Sequence, residues 1–223
     1  MLPMSSVRLV ALTLPTGVEA TNAEEFVAYC ARVSNPANQA NHGTAAKLVA
    51  YLVRNHHWSP FEMAHAVMEI QTTRDIARQI LRHRSFSFQE FSQRYAAVQE
   101  PIVIREARLQ DAQNRQASRS TEDLELKAKW ARLQEQAGKL TAEIYGWALD
   151  HGIAKEVARS VLPEGLTPSR LYMAGTLRSW IHYVQLRTSA GTQLEHRLIA
   201  AECKQQLLTA MPSLAEVLHA TEH

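Results

Sequence analysis

The chain has 223 residues, 46% of them hydrophobic and 21% charged, and a formal net charge of +2. That length suits one domain with a proper core, and so mild a basic balance is no signature of a nucleic-acid binder. No apolar stretch approaches the roughly 20 residues of a membrane span, and "SVRLVALTLP" ends at Pro15 before it could serve as a signal-peptide core, so the expectation is a cytoplasmic protein with no membrane and no nucleic-acid partner.

In chain order, residues 6–14 alternate as a strand, with Val7, Leu9, Ala11 and Thr13 on one side. A helix is predicted over 22–33, capped by Asn22, with Phe26, Val27, Cys30 and Val33 on one face. "SNPANQANHG" reads as a polar loop, and 45–55 as a helix with Leu48, Tyr51 and Leu52 in its stripe. A loop around Ser59-Pro60 leads into the strand "AVMEIQT". Thr72 or Thr73 can cap the next helix, which runs to about Arg84 and carries Asp75 in its first turn. Arg74, Arg78 and Arg82 repeat every four residues along it, and something anionic should face part of that row. Residues 96–120 give no legible pattern.

From 121 to 151 one long helix is predicted, in which Leu126, Trp130, Leu133, Ala137, Leu140 and Ile144 form a seam for packing on another helix. A short helix over 153–161, an extended "SRLYMAGTL" and helices over 178–187 and 193–209 complete the reading. The fold class is α+β: a helix-dominated single domain over 1–223 with a small, mostly antiparallel sheet and a helical part around 121–161. Cys30 and Cys203 lie far apart, outside any C-x-x-C or zinc spacing, and read as buried thiols in a reducing compartment; no metal site is expected.

The segment richest in chemistry is "RHRSFSFQEFSQRY", from Arg82 to Tyr95. Its arginines offer planar forks matched to phosphate oxygens, and their charge persists at neutral pH. Ser92 adds a hydroxyl, while Gln89 and Glu90 offer acceptors for sugar hydroxyls or base edges. Phe86, Phe88 and Phe91 alternate with polar residues, so the segment should be packed and its arginines fixed. Such a site suits a nucleotide or dinucleotide. Taken singly, each residue has a plainer explanation: R-H-R as a basic helix end, His57 as a loop cap, Arg159 as a surface residue after Glu156, and Ser92 as a turn residue. Arg178, His182 and Gln185 could form a solvated helix face, and Arg187 could simply complement a helix dipole.

The pattern R-H-R, seven residues, Ser, then Arg-Tyr two positions later, at Arg82, His83, Arg84, Ser92, Arg94 and Tyr95, resembles the signature of the flavin-dependent thymidylate synthases. "HHWSPFE" with His57 and Ser59, "ARQILRHR" with Gln79, "KEVARSVLP" with Arg159, and "LRSWIHYVQLR" with Arg178 and Arg187 resemble further elements of that family. The resemblance implies a homotetramer with shared active sites. NADPH would reduce FAD, methylenetetrahydrofolate would give its methylene to C5 of dUMP, and the reduced flavin would complete the methyl group. It further implies that His57, Ser59, Arg82, His83, Arg84, Glu90, Thr176, Arg178 and His182 contact FAD. Gln79, Arg82, Glu90, Ser92, Arg94, Arg159 and Arg187 would hold dUMP, with Arg187 the catalytic cation that favours the ionised uracil. Thr176, His182 and Gly191 depart from the family's expected Asn, Asn and His. Two other readings weigh against it: a flavin-binding relative without synthase activity, which Arg94, Arg159 and Arg187 oppose, and a nucleic-acid binder using Arg74, Arg78 and Arg82, which lacks a recognisable binding fold.

Overall fold

The computed structural model describes residues 5–218. Its centre is an antiparallel sheet ordered β1-β2-β6-β3, formed by Ser6–Leu12 (β1), His65–Thr73 (β2), Ser87–Glu90 (β3) and Pro168–Thr176 (β6). Alternation decides its two faces. Ala66, Met68 and Ile70 of β2 and Leu171 and Met173 of β6 are fully buried or nearly so. On the opposite face, Glu69 accepts from Arg8 and from the Tyr172 hydroxyl. One covered and one wet face is the usual state of an antiparallel sheet.

The helices Ala23–Ala31 (α1), Ala45–Arg54 (α2), Arg74–Ile80 (α3), Leu177–Arg187 (α6) and Leu194–Ala210 (α7) contribute to the same buried core. Asn22 caps α1 as expected, accepting from the Glu25 amide at 2.9 Å. The segment 34–44 remains loop with two short 3-10 turns at Pro36–Asn38 and His42–Thr44. Ser59–Glu62 forms another 3-10 turn, with Pro60 at its start. Just before it, His56 sits at φ 57°, a left-handed conformation costly for a residue with a Cβ.

The register places the arginine-rich segment. β2 and β6 pair from His65↔Thr176 to Thr73↔Pro168, so α3 leaves the sheet at one end and α6 at the other. α3 runs back along the core, and β3 then joins β6 at Ser87↔Ala174. The turn 81–86 is thereby returned to the end of the sheet where α6 starts. Gly175 permits this closure: a Cβ there would lie 2.4 Å from the buried Phe86 ring. α3 stops at Ile80, shorter than the helix predicted to Arg84, because residues 81–86 tighten into successive turns.

Residues 96–120 hold a small hairpin, Arg108–Gln110 (β4) with Ser118–Ser120 (β5). Leu124–Asp150 (α4) follows, capped by Asp123, then Lys155–Ala158 (α5), and the chain's last described helix is Ala215–Leu218 (α8). The seam on α4 does not pack within the chain: Leu126, Trp130, Leu133, Leu140 and Ile144 are 38, 42, 47, 60 and 43% exposed. An adjacent side of α4 carries Gln134 and Tyr145 into contact with Arg105 and Val98. Cys203 is buried and its thiol is pushed far up by burial, whereas Cys30 is only half-buried, with a more modest rise of the same cause. Among the described residues no helix is long and apolar enough to cross a membrane.

Candidate functional site

At the end of the sheet, the turn carrying Arg82, His83 and Arg84 meets the start of α6 and the Ser59–Glu62 turn. The Ser179 hydroxyl donates to the Ser85 carbonyl at 3.3 Å. Arg178 donates to Glu62 at 2.6 Å. His182 lies edge-on to Trp58, ring centroids 4.8 Å apart, and Trp58 directly precedes the Ser59–Glu62 turn. Thr176 caps α6, its hydroxyl accepting from the Ser179 amide at 3.1 Å. His57 is exposed beside Tyr51, edge to face at 6.0 Å. Arg82 and Arg84 are exposed, and neither has a carboxylate within ion-pair distance among the described residues. Two unpaired guanidinium groups flanking an uncharged imidazole, with histidine and hydroxyl groups nearby, fit an anionic dinucleotide such as FAD.

His83 is that uncharged imidazole. Arg187 Nε donates to His83 Nε2 at 2.9 Å, which requires the ring nitrogen to be bare. Burial first, then the charges of Arg187 and Arg82, hold the His83 pKa down at about 4. Beyond this bond Arg187 makes no hydrogen bond or ion pair among the described residues. Arg187 is thus a half-buried permanent cation, oriented by a neutral partner and left without a counter-ion. His182 is likewise held below the usual histidine range, by burial and then by Arg178.

Behind His83 a polar chain runs into the interior. Its ring meets Tyr183 edge-on at 4.9 Å. The Tyr183 hydroxyl is 3.1 Å from His196 Nε2, and His196 Nδ1 is 3.3 Å from Gln79 Oε1. Gln79 Nε2 donates to Gln193 Oε1 at 2.7 Å, and Gln193 Nε2 to Glu195 at 2.9 Å. Glu195 is buried against Arg105 at 3.2 Å and Arg108 at 2.6 Å; these are charge contacts, since Glu195 Oε1 and Arg105 Nη1 lack hydrogen-bond geometry. Burial raises the Glu195 pKa, but Gln193, a backbone amide and the two arginines outweigh it and the net shift is downward. Arg105 Nη2 also donates to Asp75 at 2.8 Å and to the Thr73 hydroxyl at 2.5 Å.

The remaining arginines gather elsewhere. Arg94 is 3.5 Å from Glu156, and Arg159 Nε donates to the Glu156 carbonyl at 3.4 Å. With Arg74, Arg78, Gln93 and Ser160, Arg159 lines a cavity of about 350 Å³. The expected anions facing the arginine row are present: Glu90 lies 3.4 Å from Arg74 and accepts from Ser169 at 2.8 Å, and Glu164 accepts from Arg78. Ser92 forms a turn, its hydroxyl accepting from the Arg94 amide at 3.4 Å. A cavity of about 740 Å³ is an apolar groove between residues 97–104 and α4 and touches no residue of this constellation.

Of the residues assigned to FAD, the structure unites Ser59's turn with Arg82, His83, Arg84, Thr176, Arg178 and His182; Glu90 lies apart, on β3 beside Arg74. Of those assigned to dUMP, Arg187 and Gln79 connect through His83, Tyr183 and His196, while Ser92, Arg94 and Arg159 form a separate group within one chain. Tyr183, Gln193, Glu195, His196 and Arg105 carry no role in the sequence reading. No local pattern singles them out, and only burial by distant segments reveals them.

Residues 18–213 match the family model described as thymidylate synthase complementing protein. A probable flavin-dependent thymidylate synthase of Paramecium bursaria Chlorella virus 1 is 49% identical over 96% of this chain and 98% of its own. The flavin-dependent thymidylate synthase of Synechocystis sp. is 46% identical, covering 95% and 98%. Among solved structures, the UMP/dUMP methylase PolB from Streptomyces cacaoi, bound with 5-Br dUMP, superimposes with a TM-score of 0.80 at 30% identity over 97% of this chain and 95% of that one. Together with a neutral His83 orienting an unpaired Arg187 beside the R-H-R turn, these likenesses place the chain in the thymidylate synthase complementing protein family, that of the flavin-dependent thymidylate synthases.

Proposed function

We propose that this chain is a thymidylate synthase that converts dUMP and methylenetetrahydrofolate to dTMP and tetrahydrofolate, with FAD as cofactor and NADPH as reductant. The observation that carries the reading is Arg187: a half-buried guanidinium, oriented by His83, with no carboxylate to neutralise it. Its free edge suits the negative charge that develops on the uracil as C5 becomes nucleophilic. FAD, when bound and reduced, supplies the hydride that completes the methyl group. Arg82, Arg84, Arg178, His57, Ser59, Thr176 and His182 would hold it. Cys203 lies in the apolar core, and burial raises the pKa of both cysteine thiols, which suits a route without an attacking thiol.

Ser92, Arg94 and Arg159 would bind the nucleotide phosphate, with Gln79 and Glu90 on the sugar and base. Their separation from Arg187 in one chain supports a homotetramer in which neighbouring subunits complete each site. The exposed apolar row on α4 gives such an assembly a surface.

The test is release of tritium from C5-labelled dUMP by the purified protein supplied with methylenetetrahydrofolate and NADPH. Release that requires both co-substrates supports the reading; a yellow, FAD-loaded protein that releases none overturns it. Because the PolB structures carry 5-Br dUMP in one case and 5-Br UMP in another, labelled UMP belongs in a parallel arm.

A further inference from the structure

Each link of the interior chain from Glu195 to Tyr183 has only one possible hydrogen-bond direction. A carboxylate only accepts, so Gln193 must turn its Nε2 to Glu195 and its Oε1 to Gln79. Gln79 must then present Nε2 to Gln193, which leaves its Oε1 facing His196. A carbonyl oxygen cannot donate, so His196 carries its proton on Nδ1. Its Nε2 is therefore bare and accepts from the Tyr183 hydroxyl. One ionised group at the end of the chain, clamped by Arg105 and Arg108, thus fixes two amides, one tautomer and one hydroxyl.

We infer that Glu195, Gln193 and His196 are positioning residues that lock the carboxamide of Gln79 in one orientation for the nucleotide. An unanchored glutamine amide can flip its donor and acceptor, and a polar base or sugar would meet each face half the time. Here one N–H and one lone pair of Gln79 are already committed, so the second N–H and the second lone pair are left for a ligand in a fixed sense. His196 suits the task because it is fully buried, packed 6.2 Å from His83 and bonded through both nitrogens. The inference rests on the reading of Gln79 as a nucleotide contact.

The experiment measures dUMP binding to the FAD-loaded holoenzyme by calorimetry, with flavin content and melting temperature recorded for each variant. His196→Asn keeps a donor where Nδ1 stands, whereas His196→Phe removes both bonds and keeps the packing. The expected order is weaker dUMP binding in Phe than in Asn, with Phe about tenfold weaker than wild type, the equivalent of one lost hydrogen bond. FAD content should stay unchanged. Gln193→Leu, at a half-buried position before α7, cuts the chain on the other side of Gln79 and should weaken dUMP similarly. The two losses should not add in the double variant, because either one already frees the amide. Should His196→Phe fail to fold, Gln193→Leu alone decides. Wild-type dUMP affinity in Gln193→Leu, or full additivity in a folded double variant, overturns the inference; a wild-type protein that binds no dUMP overturns the reading of the site instead.

Discussion

The guanidinium of Arg187 is held by a single bond to a neutral imidazole, which leaves its charge available for a ligand. Removing it should therefore affect turnover more than cofactor retention. Arg187→Ala is expected to raise the barrier by about 3–4 kcal/mol, comparable to losing one oxyanion donor, while Arg187→Lys, which keeps the charge without the planar fork, loses less. Flavin absorbance of the purified variants checks that FAD stays bound; an Ala variant that turns over normally removes Arg187 from catalysis. The two interior histidines set a second expectation. His83 and His196 have folded pKa values of about 4 and about 3, below the roughly 6.5 of an unfolded histidine. Between those values the unfolded chain binds more protons, so stability is fully present above about pH 6.5 and is lost as pH falls through 6.5 toward 4. The melting temperature should decline over that window, and decline less steeply in His196→Phe. An unchanged slope in that variant would mean His196 is not buried and neutral in solution.

Among the elements, the β2–β6 pair and the turn it cradles depend on Gly175. A methyl group there would press against the Phe86 ring at 2.4 Å, and the ring is wedged between Trp180 at 4.8 Å and Tyr183 at 5.9 Å, so it cannot easily yield. Gly175→Ala should cost about 1–3 kcal/mol of stability, the range for overpacked cores, measurable by urea unfolding. The outcome that contradicts this packing is an Ala variant as stable as wild type. The same elements show what is legible in a sequence. β1, β2, α1, α2, α6 and α7 carry their own period of apolar residues, and the local pattern suffices to place them within a few residues. β3 spans only Ser87–Glu90 and owes its existence to its register with β6, some eighty residues away, so no window of sequence contains its cause. The R-H-R segment is legible because its chemistry is contiguous. The Glu195–His196 chain is illegible because what makes it special is burial by α3, α6 and the Arg105 segment together.

For the molecule as a whole, α4 is the unfinished part. Its apolar row is exposed, a surface suited to the contact with another copy that the proposed homotetramer requires. Replacing Trp130 and Leu133 by glutamate should leave the domain folded, since neither side chain lies in its core, but should convert the assembly to smaller species by light scattering. A wild-type protein that is already monomeric and active would dismiss the shared-site arrangement.

The four tryptophans fall one by one into different environments. Trp180 is fully buried in the core, donating to the Ala66 carbonyl at 3.1 Å. Trp58 is half-buried against His182 at the mouth of the proposed flavin site. Trp130 and Trp147 stand outward on α4, 42 and 57% exposed, with Trp147 stacked on His151 at 4.3 Å. The chain thereby carries its own set of optical reporters, and single-tryptophan versions would separate events that a bulk signal merges. Emission from Trp130 should shift on dilution, Trp58 should be quenched when FAD is added to flavin-free protein, and Trp180 should change only when the sheet itself unfolds.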